Sequence, residues 1–376
     1  MFEISLVNFL DASDAAGWNL LAGSNPTTKY EFIQALHDTG CASPKTGWTP
    51  HFLVLREDAR LVGGMLLYLK SHSRGEYVFD HGWAEAFHRH GMRYYPKLLS
   101  SIPFTPVTGA RLLGQTPAHR ETLARAAIQV AKEMDVSSLH VLYPDDASKA
   151  ALVEAGYLIR EGVQFHWSNQ GFESVDDFLG SLKHEKRKKL RQDSRRVAEA
   201  GVTFEHLRGA HISTDVLRFF YECYARTYEA HFSSPYLTFQ FFERILRDAP
   251  DDMLIVLASK DGRPIATALN LVGGDTVYGR YWGSTEFVSG LHFETCYFQS
   301  IKYCIDHGFQ RFEGGAQGEH KMARGLTPIK TWSAHWIANQ SFADAIADFL
   351  DRETVAIECY ADSLESRSPF KQDDPA

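Results

Sequence analysis

The sequence predicts an α/β fold in which one architecture is used twice in tandem, and three observations carry that prediction. The chain has 376 residues, more than one ordinary core accommodates, so two domains are expected. Short apolar runs separated by glycine-rich or charged turns occur in two blocks, each read as a meander of strands. Each block is followed by a helix and a further strand, so each sheet should be twisted, mixed and largely antiparallel, with helices on its flanks.

Taken in order, Thr28 to Thr39 reads as a helix and Cys41 to Pro50 as a loop of turn formers. His51 to Leu55, Leu61 to Leu69 and Tyr77 to Phe79 are the first three strands, because apolar and β-branched residues dominate them. His119 to Met134 carries Leu123, Ala127, Val130 and Ala131 at helical spacing. Ser138 to Leu142 is a strand, and a helix then runs to Glu154. The turn Ala155-Gly156-Tyr157 leads into a strand ending near Trp167. Asn169-Gln170-Gly171 breaks the pattern, which sets the expected domains at 1–168 and 169–376. In the second, Asp176 to Ala200, Leu217 to Tyr228 and Phe239 to Arg247 are helices. Met253 to Ala258, Pro264 to Val272 and Thr276 to Trp282 are strands. A helix from His292 to His307 stops at Gly308, a residue suited to a left-handed helix end. The strand Gln310 to Glu313 follows.

Composition narrows the function classes. With 44% hydrophobic and 23% charged residues, the chain has the balance of a soluble globular protein. Its net charge of -8 argues against a dedicated nucleic-acid binder, although a local basic patch is compatible with it. Five scattered cysteines with no CxxC pair fit reduced thiols in a cytoplasm. Asp11, Asp14 and Asn19 interrupt any apolar run near the start, so no signal peptide is expected. No stretch approaches the roughly 18 apolar residues of a membrane span.

The segment from Phe312 to Gly325 concentrates the chemistry. It holds Glu313, Glu319, His320, Lys321 and Arg324 among four glycines. Glycines let a backbone approach a ligand closely, and glutamate and histidine move protons near neutral pH. A surface turn with solvated charges is the alternative. His292 and Glu294 open the preceding helix; they either cap it or join Glu313, Glu319 and His320 around one cleft. Arg280 and Trp282 share a strand face, and Trp48, His51, Arg93 and Lys97 gather polar and aromatic groups in the first half. Such groups suit an anionic or planar ligand, or an interface. Lys183 to Arg196 is strongly basic, which reads as a solvated helix face or as a contact for a phosphate-rich partner. No spacing supplies three metal ligands, and no GxSxG or Walker motif is present. Cys296 reads as a buried inert thiol.

The order of strands and helices, with Ala151 to Tyr157 as a leucine-to-Gly-aromatic segment, resembles GNAT-type N-acyltransferases. Two such domains, the second with a basic helix and a Gly-Gly loop, resemble the Fem-type aminoacyltransferases. Pro96 to Gly109, and Phe312 to Gly325 followed by Trp332-Ser333-Ala334-His335-Trp336, look like the bacterial FemAB-like family. That resemblance spans nearly the whole chain and implies two tandem GNAT-like domains. It implies transfer of an aminoacyl or acyl group to an amine, such as a peptidoglycan precursor. Glu313, Glu319 or His320 would serve as base, with His292 and Glu294 nearby. Lys321, Arg324, Arg280, Trp282 and Trp332 would bind substrate. No tightly bound cofactor is implied; the donor would be aminoacyl-tRNA, met by the basic helix, or an acyl-CoA. GNAT enzymes hold CoA pyrophosphate on a Q/R-x-x-G-x-G/A turn opening a helix, and Arg111-Leu112-Leu113-Gly114-Gln115-Thr116 matches it except at the last position. A non-catalytic module recognising a cell-wall peptide or nucleotide precursor is the other class of reading.

Overall fold

Turn chemistry and strand alternation place the elements. In the computed structural model, which describes residues 2–315 and 318–371, the first half contains β1 (Phe2–Val7), α1 (Ala15–Ala22), α2 (Tyr30–Asp38), β2 (Trp48–Pro50), β3 (Phe52–Glu57), β4 (Arg60–Met65), β5 (Tyr68–Lys70), α3 (His81–Arg89), β6 (Lys97–Ser100), β7 (Leu113–Gly114), α4 (Pro117–Glu133), β8 (Ser138–Leu142), α5 (Asp146–Glu154) and β9 (Leu158–Ser168). The second half contains α6 (Val175–Ser181), α7 (His184–Glu199), β10 (Val202–Arg208), α8 (Thr214–Ala230), α9 (Phe239–Asp248), β11 (Met253–Lys260), β12 (Arg263–Gly273), β13 (Thr276–Ser284), α10 (Leu291–Phe293), a π-turn (Glu294–Phe298), α11 (Gln299–His307), β14 (Arg311–Glu313), a 3-10 turn (Glu319–Arg324), β15 (Thr327–Ile337) and α12 (Gln340–Glu365).

The chain divides into two compact units, Met1–Val163 with Lys330–Tyr360, and Gln164–Ile329 with Ala361–Ala376. Against the single boundary at 168 and 169 expected from sequence, the far end of β15 belongs to the first unit, where Ser333 to Ile337 pair with β8. The end of β9 belongs to the second unit, where His166 to Ser168 pair with β14. Each unit therefore takes one strand from the other half of the sequence.

In the first unit, β1, β3, β4 and β7 form one antiparallel sheet. Asp58 and Ala59 both take positive φ in the β3–β4 turn, the backbone that two-residue hairpins favour. The order β15-β8-β6-β5-β2 forms the second sheet, with β6 and β8 parallel. Leu53, Leu55, Val62, Leu98, Leu123, Ala127, Leu139 and Leu152 form the core. Tyr77 to Phe79 is a loop and not the expected strand, with Tyr77 at φ 63°. In the second unit the strand order is β10-β11-β12-β13-β14-β9, antiparallel except for the β13–β14 pair. The expected basic helix is two helices, because Leu182 and Lys183 are extended. Lys183 N–H donates to Pro369 O at 2.9 Å there.

Candidate active site

The parallel pair β13 and β14 opens a cleft. They pair only where Thr276 to Tyr278 meet Arg311 to Glu313. β13 then continues from Gly279 to Ser284, while β14 ends and the chain turns away at Gly314 and Gly315. Both glycines at the parting stand in close quarters. A Cβ on Gly279 would lie 3.1 Å from the Phe312 ring, and one on Gly314 would lie 2.6 Å from Leu326 Cδ2. The gap is a cavity of about 120 Å³ lined by Asn270, Arg280, Trp282, His292, Tyr297 and Phe312 among others. Arg280 sits at a bulge, since Leu269 pairs with Tyr281 and Asn270 with Gly279. A bulge re-aims a side chain and ends regular pairing.

Electrostatics sort the candidates. His292 packs its ring 5.0 Å from that of Trp282. Burial lowers its pKa to about 4, helped by its neighbours His320, Lys321 and Arg324, so it is neutral at pH 7. Lys321 is buried and donates from Nζ to Gly315 O at 2.8 Å. Desolvation pushes its ammonium down to about 8, within reach of proton exchange near neutrality. His320 is exposed, with its ring 5.7 Å from Phe293 and 6.3 Å from Tyr297. Its pKa is lowered by partial burial and by Lys321 and Arg324. Arg324 is buried over the Phe293 ring and donates from Nη2 to Asp193 Oδ2 at 3.0 Å.

The three carboxylates do not share this place. Glu294 accepts from Ser194 Oγ at 2.6 Å and Gln299 Nε2 at 2.9 Å, and burial raises its pKa. Glu313 lies 3.9 Å from Nδ1 of His166, its cross-strand partner. Strand alternation explains this: Phe312 lines the cavity, so Glu313 takes the opposite face. Glu319 is exposed and accepts from Arg367 Nη1 at 3.0 Å. The sequence-predicted set thus resolves into His292, Arg280 and Trp282 on the cavity wall, with Lys321 behind Gly315 and His320 and Arg324 against Phe293. Ala316 and Gln317 of the glycine-rich segment lie outside the described residues.

Of the other candidates, Trp48 is fully buried with Lys70 Nζ 3.5 Å from its ring centroid. His51 Nδ1 is 3.1 Å from Thr49 O, and Arg93 is exposed. Lys97 is buried, donating to Glu76 Oε2 at 2.7 Å and to Asp80. Trp332 belongs to the first unit, where Lys149 Nζ sits 3.1 Å from its ring centroid. Arg111 is buried, and its guanidinium donates to Leu142 O at 2.7 Å and to Val107 O. Beside it, Gly109 bridges Pro144 in parallel register. Gly114 packs under α4, where a Cβ would meet Arg120 Cγ at 3.0 Å.

Sequence reasoning missed Asn270 and Tyr297. Asn270 had a signal, a lone carboxamide inside the apolar run Ala266 to Val272. Tyr297 had none, because its place depends on the π-turn that rotates the helix start. Cys296 also lines the cavity, and burial raises its thiol well above the ordinary value. Among the described residues no group of three His, Cys, Asp or Glu side chains could hold a metal, and no helix is long and apolar enough to cross a membrane.

A family model named FemAB-like and described as peptidoglycan biosynthesis/recognition matches residues 10–372. The fold is similar to the crystal structure of FemX, at 14% identity and TM-score 0.57 over 92% of this chain and 100% of that one. L-PGS from Bacillus licheniformis is similar at 11% identity and TM-score 0.57, over 90% and 95% of the two chains. The C-terminal domain of a putative lysylphosphatidylglycerol synthetase from Agrobacterium fabrum gives 11% and 0.56, over 92% and 97%. No curated protein matches the sequence.

Proposed function

The chain belongs to the FemAB-like family, and we propose that its second GNAT-like unit transfers an aminoacyl or acyl group to an amine acceptor. The observation that carries this reading is the parting of β13 and β14 at Gly279 and Gly314, with Arg280 on a bulge and a buried Lys321 behind it. A donor carbonyl entering the cavity meets partly buried polar groups, whose charge interactions are stronger than in bulk water. His292 is neutral and Lys321 titrates near 8. Neutral His292 can accept the proton that the amine nitrogen sheds once it has bonded to the carbonyl carbon, and Lys321, mostly protonated at pH 7, can give one to a leaving group. Arg280 supplies a cation for anionic parts of the substrate.

Three features favour aminoacyl-tRNA as donor over acyl-CoA. Arg111 of the first unit has donors directed to its own carbonyls. In the second unit the start of α10 has the Asp193 backbone and side chain against Gly290 and Glu294 in the next turn, a poor setting for a pyrophosphate. His184, Arg187, Lys188, Arg191 and Arg195 recur at helical spacing on α7, opposite buried Leu190, Asp193 and Val197. Such a stripe suits a phosphate backbone. The acceptor consistent with the family description is the amine of a peptidoglycan precursor.

A thermal-shift panel of alanyl-tRNA, acetyl-CoA and a nucleotide-linked peptidoglycan pentapeptide tests the reading, since ligands of the folded state raise its melting temperature. Stabilisation by alanyl-tRNA and by the precursor is expected; stabilisation by acetyl-CoA alone reassigns the donor, and silence from all three contradicts transfer.

A further inference from the structure

Asn270 is a polar side chain on the face where β12 otherwise presents Ala268 and Val272, and it is 1% exposed. Its Oδ1 accepts from Ser300 Oγ at 3.3 Å. Its Nδ2 is buried and has no hydrogen-bond partner. Buried polar groups are satisfied in most structures, and one left open at a cavity asks for an explanation. Asn270 lines the cleft and pairs across the ladder with Gly279, the residue at which the strands part and next to the Arg280 bulge. The bond from Ser300 occupies only the oxygen of the carboxamide and leaves the two Nδ2 hydrogens unused. The carboxamide therefore makes sense if something else enters the cavity and accepts from it.

We propose that Asn270 Nδ2–H donates to the carbonyl oxygen of the acyl group being transferred; this rests on the transfer reading above. In that step the lone pair of a neutral primary amine attacks the carbonyl carbon of an ester or thioester. The carbon–nitrogen bond forms, and the carbon–oxygen π pair moves onto the oxygen that Asn270 holds. Collapse re-forms the carbonyl and breaks the bond to the donor oxygen or sulfur. The leaving group departs with that pair and gains a proton, and the new amide nitrogen gives up a proton to a base at the site. A donor fixed on β12 by pairing with Ser300 needs no rearrangement as charge builds on the oxygen, which is the condition under which such a hydrogen bond accelerates a reaction.

Asn270→Leu, Asn270→Ala and Asn270→Asp separate this role from a structural one. Product is followed by mass spectrometry with alanyl-tRNA or acetyl-CoA as donor and the nucleotide-linked pentapeptide as amine. Losing one such donor typically lowers kcat about 10²- to 10³-fold, so each variant should fall by that factor with KM changed by less than about threefold. Asn270→Leu leaves the buried Ser300 Oγ without its acceptor and should lower the melting temperature modestly; the deciding readout is kcat per folded molecule, which a purely structural asparagine would leave intact. Should substitutions unfold the chain, the wild-type protein still decides: the Asn270 side-chain ¹⁵N–H₂ signal should move downfield on titration with N-methylacetamide, a bare carbonyl acceptor. Activity retained in Asn270→Leu, or a stationary carboxamide signal, overturns the assignment alone. If wild type transfers from neither donor, the transfer reading fails and takes this role with it.

Discussion

Arg324 Nη2 and Asp193 Oδ2, 131 positions apart in sequence, meet at 3.0 Å with both side chains buried. This pair fixes the end of the glycine-rich segment to the basic helix α7. Removing one partner of a buried pair leaves the other charge uncompensated, at a cost of about 3–5 kcal/mol. Asp193→Ala should therefore destabilise the second unit strongly, while Asp193→Ala with Arg324→Met should recover much of the loss. Denaturant unfolding of the two variants checks this.

Lys321 links stability to pH. Its folded pKa is about 8, against about 10.4 in an unfolded chain. Between those values the unfolded state holds a proton that the folded state has released, so stability rises with pH through that window. Below pH 8 the burial penalty is present in full. Lys321→Met should raise the melting temperature at pH 7, worth on the order of 3 kcal/mol, with the advantage shrinking above pH 8. The same variant should lose transfer activity. Calorimetry at pH 7 and pH 10, beside a turnover assay, measures both.

Buried neutral histidines set the acid limit. His140, at about 3, and His166 and His292, at about 4, are lowered first by burial. An unfolded chain takes up those protons near pH 6.5, so stability should fall as pH drops from 6.5 towards 4. In the first unit His140 Nδ1 lies 2.7 Å from His335 Nδ1, and His335 Nε2 lies 2.9 Å from Ser333 Oγ. One of the facing nitrogens must donate and the other accept. His335→Leu should cost about 2–4 kcal/mol by leaving buried partners unpaired; His335→Asn, which keeps a polar amide, should cost less. Urea titrations rank the two.

The repeated strand–helix order was legible because apolar runs and turn residues are local signals. Gly308 ends its helix at φ 75°, and Pro117 opens α4 behind a Thr116 cap, as such residues should. β1, α1 and α12 were missed, since Phe2, Ile4 and Leu6 alternate on a partly exposed strand and the last helix announces itself only by its Asn339 cap, which accepts from Phe342 N–H at 3.2 Å. At the site, Arg280, Trp282 and His292 were found because they are unusual in apolar or glycine-rich surroundings. The expected gathering of Glu294, Glu313 and Glu319 was not found, because each depends on pairing from a distant element: Ser194, His166 and Arg367.

Arg111 offers a separate check on the donor. Arg111→Lys loses the fork that reaches Leu142 O and Val107 O. It should lower the melting temperature of the first unit and leave the donor KM unchanged. A raised KM for acetyl-CoA would instead place a CoA contact on this arginine.

The most direct test is product formation. Purified protein is incubated with alanyl-tRNA and the nucleotide-linked peptidoglycan pentapeptide, and the acceptor is weighed by mass spectrometry. The account predicts an acceptor heavier by one alanyl residue, abolished by ribonuclease and by Lys321→Met in a folded protein. An unchanged acceptor, or a product that forms equally well with Lys321→Met and Arg280→Ala, would contradict it.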